Sequence, residues 1–230
     1  MNKIPALEEK LGVVFINKNL LLQALTHRSY LNENPDFELG HNERLEFLGD
    51  AVLELVVTQE LYKQFPEKPE GELTSFRAAL VNANMLAEVT ANLGVNDFLL
   101  LSRGEAKDTG RARQYILANA FEAIVGAIYL DQEYGKAREF IHAVLFPRLE
   151  EVLEKKLYKD PKSLFQEAAQ EHAGITPSYE VIREWGPDHD KHFVVGAFIG
   201  RDLIAEGEGP SKQAAQEEAA RLGLRAKGWL

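Results

Sequence analysis

The stretch NERLEFLGDA, residues 42–51, decides the fold of the first half of this 230-residue chain. Apolar residues recur at helical spacing over residues 45–55, which predicts a helix. Glu43, Glu46 and Asp50 stand at i, i+3 and i+7 and therefore share one face of that helix. Neighbouring carboxylates repel one another, and burying them is costly unless a cation or hydrogen bonds compensate. The spacing alone suits either a solvated acidic stripe or a functional cluster.

A second stretch, ILANAFEAIVGAIYL at residues 116–130, is apolar on nearly every side and predicts a buried helix. It carries two polar residues, Asn119 and Glu122, at i and i+3. Such a pair in a buried helix is usually a satisfied core contact. Beside an acidic helix it also suits the second half of an oxygen-ligand metal site, because Mg²⁺ prefers a few carboxylates together with waters and substrate phosphate.

Several motifs resemble those of the ribonuclease III family. The stretch NERLEFLGDA resembles the family signature, and LTHRSY at residues 25–30 resembles its N-terminal motif. PEGELT at residues 69–74 is similar to the family loop that opens the next helix, and FEA at residues 121–123 to its second catalytic helix. The resemblance covers essentially the whole chain. It implies an all-α catalytic domain over residues 1–157 and a small α+β RNA-binding domain, in the order α-β-β-β-α, over residues 158–230.

By this resemblance, four residues from the two helices would bind Mg²⁺: Glu46, Asp50, Asn119 and Glu122. Asp50 and Glu122 would also be catalytic, and Mn²⁺ should substitute because both ions prefer oxygen ligands. No organic cofactor is expected. Asn119 departs from the family pattern, in which most members carry Asp. An amide oxygen can bind Mg²⁺ but brings no charge, so this chain is expected to need more Mg²⁺.

Three residues near these ligands are expected to have supporting roles. Glu43 is expected to shape the dimer and substrate surface. Phe47 suits either the core or, as in the family, packing across a dimer interface. Glu70 suits a helix-start acid placed toward the helix dipole, and its family counterpart lies near the catalytic valley, where it would position substrate or water. The resemblance therefore implies a homodimer that holds duplex RNA in a valley between protomers, each protomer cutting one strand.

Residues 101–113 are rich in glycine and charge and predict an exposed loop. This loop is either an ordinary connector or, like the matching region of the family, a segment that helps to grip RNA. The second possibility makes its basic residues phosphate contacts. These residues are Arg103, Lys107, Arg111 and Arg113.

The pattern changes near residue 158. Asp160-Pro161 predicts the start of a helix that runs to about His172, since proline is well placed in a first turn. Three β-rich runs follow, over residues 179–185, 193–199 and 203–207. Ser211 is then predicted to cap a final helix.

This order resembles the double-stranded RNA-binding domain, which reads duplex shape across about 16 bp. By that resemblance, the first helix faces a minor groove through Ser163, Gln166, Glu167 and Gln170. His189, between the first two strands, would reach a second minor groove, although it also suits a plain turn. Ser211 and Lys212, at a helix N-terminus, would hold phosphate. Gln213 stands where the family often has another lysine, so this chain has one positive charge fewer for phosphate binding.

Composition limits the function classes. The net charge is −10, and neither half of the chain is basic, so RNA affinity must come from local cations and bound metal. The absence of cysteine excludes a disulfide scaffold and a thiolate metal site, and it fits a reducing compartment. The first residues lack a long apolar segment, and no run approaches a membrane span. A cytoplasmic location without a membrane partner is therefore expected.

The resemblance to the ribonuclease III family implies an endoribonuclease that cleaves double-stranded RNA with Mg²⁺. Its expected products carry 5′-phosphate and 3′-hydroxyl ends with short 3′ overhangs, and its expected roles are rRNA and mRNA processing. Two alternatives stay open. One is a double-stranded RNA-binding protein whose nuclease site is impaired by Asn119. The other is a helical metal phosphohydrolase acting on nucleotides, against which the C-terminal RNA-binding pattern counts.

Overall fold

The computed structural model describes residues 4–187 and 191–229, and the chain divides into two compact units, Met1–Glu154 and Lys155–Leu230. The predicted domain boundary at 157/158 falls shortly after this division and stays a prediction. Within the described ranges, no helix combines the length and apolarity needed to cross a membrane. The cytoplasmic location also stays a prediction.

The first unit is built from α-helices, with two short 3₁₀ turns at Val95–Phe98 and Glu105–Lys107. In chain order its α-helices are α1 (Ile4–Leu11), α2 (Lys18–Ala24), α3 (Arg28–Glu33), α4 (Glu43–Gln64), α5 (Glu70–Val81), α6 (Ala83–Asn92), α7 (Arg111–Val144) and α8 (Pro147–Glu154). The acidic stretch therefore opens α4, and the second apolar stretch lies within α7, as the sequence predicts.

The packing of α4 against α7 forms the centre of this unit. α4 buries residues such as Leu53 and Val56 on one side, because positions three or four apart share a helix face. α7 is buried on nearly all sides over residues 116–128. It then bends at Gln132 and Glu133, where the backbone angles leave the helical region.

The loop predicted over residues 101–113 is shorter than expected. α7 begins at Arg111, so Arg111 and Arg113 lie in the first turn of this helix rather than in the loop. A 3₁₀ turn at Glu105–Lys107 also divides the segment. Sequence composition marks the segment as exposed, but it does not locate the point at which the next helix begins.

The second unit confirms the predicted α-β-β-β-α order. Its elements are α9 (Pro161–Ala173), β1 (Ser178–Trp185), β2 (His192–Ile199), β3 (Asp202–Gly209) and α10 (Lys212–Lys227). The strands form an antiparallel sheet in the order β1-β2-β3. The core of the unit joins Phe165 of α9, Ala197 of β2 and Leu224 of α10, so both helices cover the same face of the sheet.

Both predicted helix starts in this unit are confirmed. The Asp160 carboxylate accepts a hydrogen bond from the Ser163 N–H at 2.9 Å, with Pro161 in the first turn of α9. The Ser211 hydroxyl accepts one from the Ala214 N–H at 3.1 Å and caps α10. Each cap satisfies a backbone donor that the helix itself leaves unpaired.

Candidate active site and nucleic-acid interface

Two glycines let α4 and α7 approach at backbone distance. A Cβ atom added to Gly49 would lie 1.7 Å from the backbone oxygen of Glu122. One added to Gly126 would lie 2.2 Å from the backbone oxygen of Leu45. Any larger residue at either position would force the helices apart. The crossing therefore places the acidic face of α4 directly beside the segment of α7 that carries Asn119.

Beside this crossing, the structure brings together four predicted site residues, here called the acidic cluster: Glu46, Asp50, Asn119 and Glu122. The Asn119 amide donates a hydrogen bond to Glu46. Burial and the negative charge of Glu43 outweigh this bond, with a smaller contribution from Asp50, and hold the pKa of Glu46 above its usual value. Burial, together with the charges of Asp50 and Glu46, raises the pKa of Glu122 to about 7.

The chemistry of the acidic cluster fits a divalent cation. Carboxylate and amide oxygens are hard donors, and the raised pKa of Glu122 has no basic side chain among its causes. Over residues 4–187 and 191–229, no three His, Asp or Glu side chains are already arranged around a single point as ligands. Mg²⁺ does not require such a cage, because it keeps several waters and uses one or two carboxylates together with substrate phosphate.

Glu43 lies on the rim of the acidic cluster. Its carboxylate is 3.6 Å from the Arg28 guanidinium and 3.7 Å from Nδ1 of His41. These two contacts hold the Glu43 carboxylate toward α3 and the start of α4. Its negative charge still contributes to the raised pKa of Glu46.

Phe47 is 83% exposed, so the interpretation that places it in the core is wrong. Leu55 and Tyr62 lie on the same side of α4 and are also exposed. These three residues, here called the apolar stripe, run beside the acidic face of the helix.

Glu70 begins α5 and lies apart from the acidic cluster. Its carboxylate accepts a hydrogen bond from the Thr74 hydroxyl at 2.8 Å. It borders a cleft of about 400 Å³ that is also lined by Thr58 and Tyr62 from the C-terminal half of α4. Thr58 is eight residues beyond Asp50, which is about 12 Å farther along the helix.

The segment before α7 is tied to α3. The Ser102 N–H donates to the Ser29 hydroxyl at 3.1 Å, and the Arg103 N–H donates to both oxygens of Glu33 at 3.2 Å. His27 caps α3, since its Nδ1 accepts from the Ser29 N–H at 3.3 Å. Burial lowers the pKa of His27, which favours the neutral form that this cap requires. His27 therefore has a structural role in this loop and helix start.

The basic residues of this region differ in their roles. The Arg113 guanidinium donates to three backbone carbonyls of the loop, at 2.8 to 3.1 Å, and so holds the loop in shape. The Arg111 guanidinium lies 5.8 Å from the centre of the Tyr115 ring. The side chains of Arg103 and Lys107 are exposed to solvent. Sequence reasoning missed the structural role of Arg113 because it depends on carbonyls contributed by the folded loop.

In the second unit, the predicted RNA-facing residues of α9 are all exposed: Ser163, Gln166, Glu167 and Gln170. Their spacing places them along one side of the helix. Glu167 accepts a hydrogen bond from Lys159 at 2.8 Å, so a local cation balances its charge. Ser211 and Lys212 stand at the exposed start of α10. His189 lies outside the described residues.

The two units define a class of protein in which a helical domain with a carboxylate-rich site is followed by an α-β-β-β-α domain. Residues 17–149 match the protein-family model described as Ribonuclease-III-like. Residues 161–227 match the model of the double-stranded RNA binding motif. The chain belongs to the ribonuclease III family. Membership of this family implies a divalent metal cofactor, which agrees with the donor chemistry of the acidic cluster.

Individual relatives show the same relationship. The chain is 44% identical over 220 residues to Ribonuclease 3 of Enterococcus faecalis, covering 95% of each protein. It is 43% identical over 225 residues to Ribonuclease 3 of Nitratiruptor sp., covering 98% of this chain and 97% of that one. It is also similar to the solved nuclease domain of Ribonuclease III from Campylobacter jejuni, with a TM-score of 0.57 and 41% identity, over 63% of this chain and 96% of that domain. That domain is described as flexible in a region involved in dimer formation.

Proposed function

We propose that this protein is an endoribonuclease that cleaves double-stranded RNA with Mg²⁺, and that Mn²⁺ can replace Mg²⁺. The observation that carries the proposal is the acidic cluster, in which three carboxylates and one amide meet at a rigid helix crossing. The double-stranded RNA binding motif in the same chain supports duplex RNA as the substrate.

In this proposal, Glu46 and Asp50 would hold the cation from α4, while Asn119 and Glu122 would hold it from α7. A bound divalent cation supplies the positive charge that activates water, screens the phosphodiester and stabilises the leaving 3′-oxygen. The exposed Asp50 carboxylate remains open to solvent and substrate, whereas the partly buried Glu122 is fixed by the glycine crossing. The water oxygen would lose a proton and bond to phosphorus, and the bond to the 3′-oxygen would break as that oxygen takes up a proton, which leaves 5′-phosphate and 3′-hydroxyl ends.

The protein would act as a homodimer in which each protomer cuts one strand and leaves short 3′ overhangs. The apolar stripe supports this, since Phe47 and Tyr62 are 83% and 73% exposed and large exposed apolar surfaces mark protein interfaces. A two-fold axis would relate the two acidic clusters as it relates the two strands of a duplex. The region of dimer formation in the Campylobacter jejuni relative supports the same assembly. The substrates we propose are rRNA and mRNA precursors.

RNA would be held mainly through the second unit. The exposed side of α9 would face a minor groove, and Ser211 and Lys212 would hold phosphate at the start of α10, where free backbone N–H groups point outward. Arg103 would add a phosphate contact from the first unit. The net charge of −10 makes these few contacts sensitive to salt, so we expect binding to weaken steeply as salt increases.

A cleavage assay tests the proposed reaction. A long RNA duplex is incubated with the purified protein in Mg²⁺, Mn²⁺, Ca²⁺ or EDTA and resolved on a gel. Mg²⁺ and Mn²⁺ should support cleavage, and EDTA should abolish it. Cleavage in EDTA, or turnover of free nucleotides in place of duplex RNA, would contradict the proposal.

Replacing Glu122 tests the assignment of the cluster. Glu122→Gln should abolish cleavage while duplex binding stays near the wild-type level, because it removes one charged ligand and no RNA contact. Glu9→Gln is the matched control, since Glu9 is exposed on α1 and the charge change is the same. A Glu122→Gln protein that cuts normally would exclude this site.

Replacing Asn119 separates the proposal from its alternative. Asn119→Asp should lower the Mg²⁺ concentration needed for half-maximal rate, or raise the rate, because it adds a charge to the cluster. Asn96→Asp, in an exposed 3₁₀ turn, controls for the added charge. If the wild-type protein binds duplex RNA without cutting it and Asn119→Asp restores cleavage, the chain is an RNA-binding protein with an impaired site. If the metal dependence does not change, Asn119 is not a ligand.

A further inference from the structure

The sheet of the second unit has one open face. Four residues of β2 point into the core formed with α9 and α10: Phe193, Val195, Ala197 and Ile199. Because side chains alternate along a strand, Val194, Gly196 and Phe198 point to the other side, away from both helices. Residues paired directly with these on β1 and β3 share that side. This side is here called the outer face.

Three apolar side chains meet at the centre of the outer face. A Cβ atom added to Gly196 would lie 2.7 Å from Phe198, 2.8 Å from Leu203 and 2.9 Å from Ile182. Their side chains therefore close over the glycine and form one continuous patch that joins all three strands. Ile182 and Leu203 remain 47% and 46% exposed, so this patch is open to solvent.

Carboxylates border this patch. Glu180 on β1 and Glu206 on β3 both lie opposite Gly196, so they flank the patch about 10 Å apart. Both are exposed, and neither forms an ion pair with another residue in the ranges 4–187 and 191–229. Arg183 on β1 also lies on this face, and its guanidinium is 4.8 Å from the centre of the Trp185 ring. The outer face is thus apolar at its centre, with the carboxylates of Glu180 and Glu206 on either side of that centre and the Arg183 cation farther along the strands.

We infer that the outer face is a docking site for a cationic segment of another protein, one that carries aliphatic or aromatic side chains between its lysines or arginines. The apolar side chains would cover Ile182 and Leu203, and the cations would pair with Glu180 and Glu206. The negative border disfavours RNA, since carboxylates repel phosphate. The site also lies on the opposite side of the sheet from α9 and α10, so partner and RNA would bind without competing.

A defined peptide tests this inference on the full-length protein. The probe is a fluorescein-labelled peptide of alternating lysine and leucine, and binding is followed by fluorescence anisotropy at about 150 mM salt, close to physiological. The double variant Glu180→Lys/Glu206→Lys should bind it about tenfold more weakly than the wild-type protein. Glu171→Lys on α9 makes the same kind of charge change away from the sheet and should leave the affinity nearly unchanged.

Two further measurements decide between the possible outcomes. Amide chemical shifts of the isotope-labelled wild-type protein should move at Ile182, Gly196 and Leu203 on addition of the peptide, which requires no variant to fold. A peptide of alternating lysine and serine should bind more weakly, because it lacks apolar side chains. Equal loss of affinity in Glu171→Lys, or equal binding of the serine peptide, would overturn the inference.

Discussion

Replacing Gly49 with alanine is the most direct test of how the fold builds the acidic cluster. The added Cβ would lie 1.7 Å from the Glu122 oxygen, 2.6 Å from its carbonyl carbon and 2.8 Å from the Gly126 nitrogen. All three atoms are backbone and cannot rotate away. Because real Cβ contacts are essentially never shorter than 3.0 Å, α4 and α7 must move apart by at least about 1.3 Å.

The expected losses of stability and of cleavage in Gly49→Ala follow from this displacement. Overpacking a core ordinarily costs about 1–3 kcal/mol, and the immobile backbone places Gly49→Ala at the upper end of that range. Alanine recovers about 0.5–1 kcal/mol through its better helix propensity. We therefore expect a net loss of about 2 kcal/mol in the free energy of unfolding. Because the shift separates the ligands on α4 from Glu122, cleavage should fall about 100-fold in the variant that remains folded.

Gly135→Ala provides the matched control. Gly135 lies in the same helix as Gly126, but a Cβ atom there would meet nothing within 4 Å. This variant should gain up to about 1 kcal/mol of stability and keep its activity. Urea unfolding and duplex RNA cleavage, measured at a temperature at which every variant is folded, give the two quantities. Wild-type stability together with wild-type cleavage in Gly49→Ala would refute the argument that close helix contact builds the site.

Two other predictions concern backbone strain and assembly. Glu133 has φ 62° and ψ −176°, a conformation that only glycine adopts readily, so Glu133→Gly should stabilise the protein by about 1 kcal/mol, seen as a rise of about 2–4 °C in Tm. Glu139→Gly, at an exposed helical position, should instead destabilise it, and a loss of stability in both variants would exclude strain at Glu133. Phe47→Asp should shift the protein from dimer toward monomer in sedimentation experiments, because it places a charge in the proposed interface. An unchanged dimer would show that Phe47 does not lie in the interface.

The elements that could be predicted from the sequence are those determined by residues close together in the chain. The acidic face of α4 follows from spacing alone, and the caps at Asp160 and Ser211 follow from residue type and position. The strands of the second unit were also predictable, because β-branched and aromatic residues alternate between turn residues. Each of these features is decided by neighbours within a few positions in the chain.

Features that depend on distant contacts were not predictable. The crossing of α4 and α7 requires knowledge of where two helices meet, although Gly49 and Gly126 gave a signal. Glycine inside a helix costs about 0.5–1 kcal/mol relative to alanine, so its presence in two apolar helices indicates a close backbone approach. The bend of α7 could not be predicted in this way. Its backbone conformation at position 133 favours glycine, but the residue there is glutamate, so the sequence does not mark the bend.

Burial explains why two groups of uncompensated carboxylates in this chain suit different ligands. In the acidic cluster, Glu122 is partly buried at a rigid crossing, so its charge needs a compact cation that fits between two helices. A small divalent ion meets that need, whereas a lysine or arginine stem would have to displace packed side chains. On the outer face, Glu180 and Glu206 are exposed and stand on either side of an apolar patch. A peptide segment with lysine or arginine side chains can reach both carboxylates, about 10 Å apart, while its apolar side chains cover the patch. A small ion cannot do both. The geometry around each carboxylate therefore determines the class of ligand.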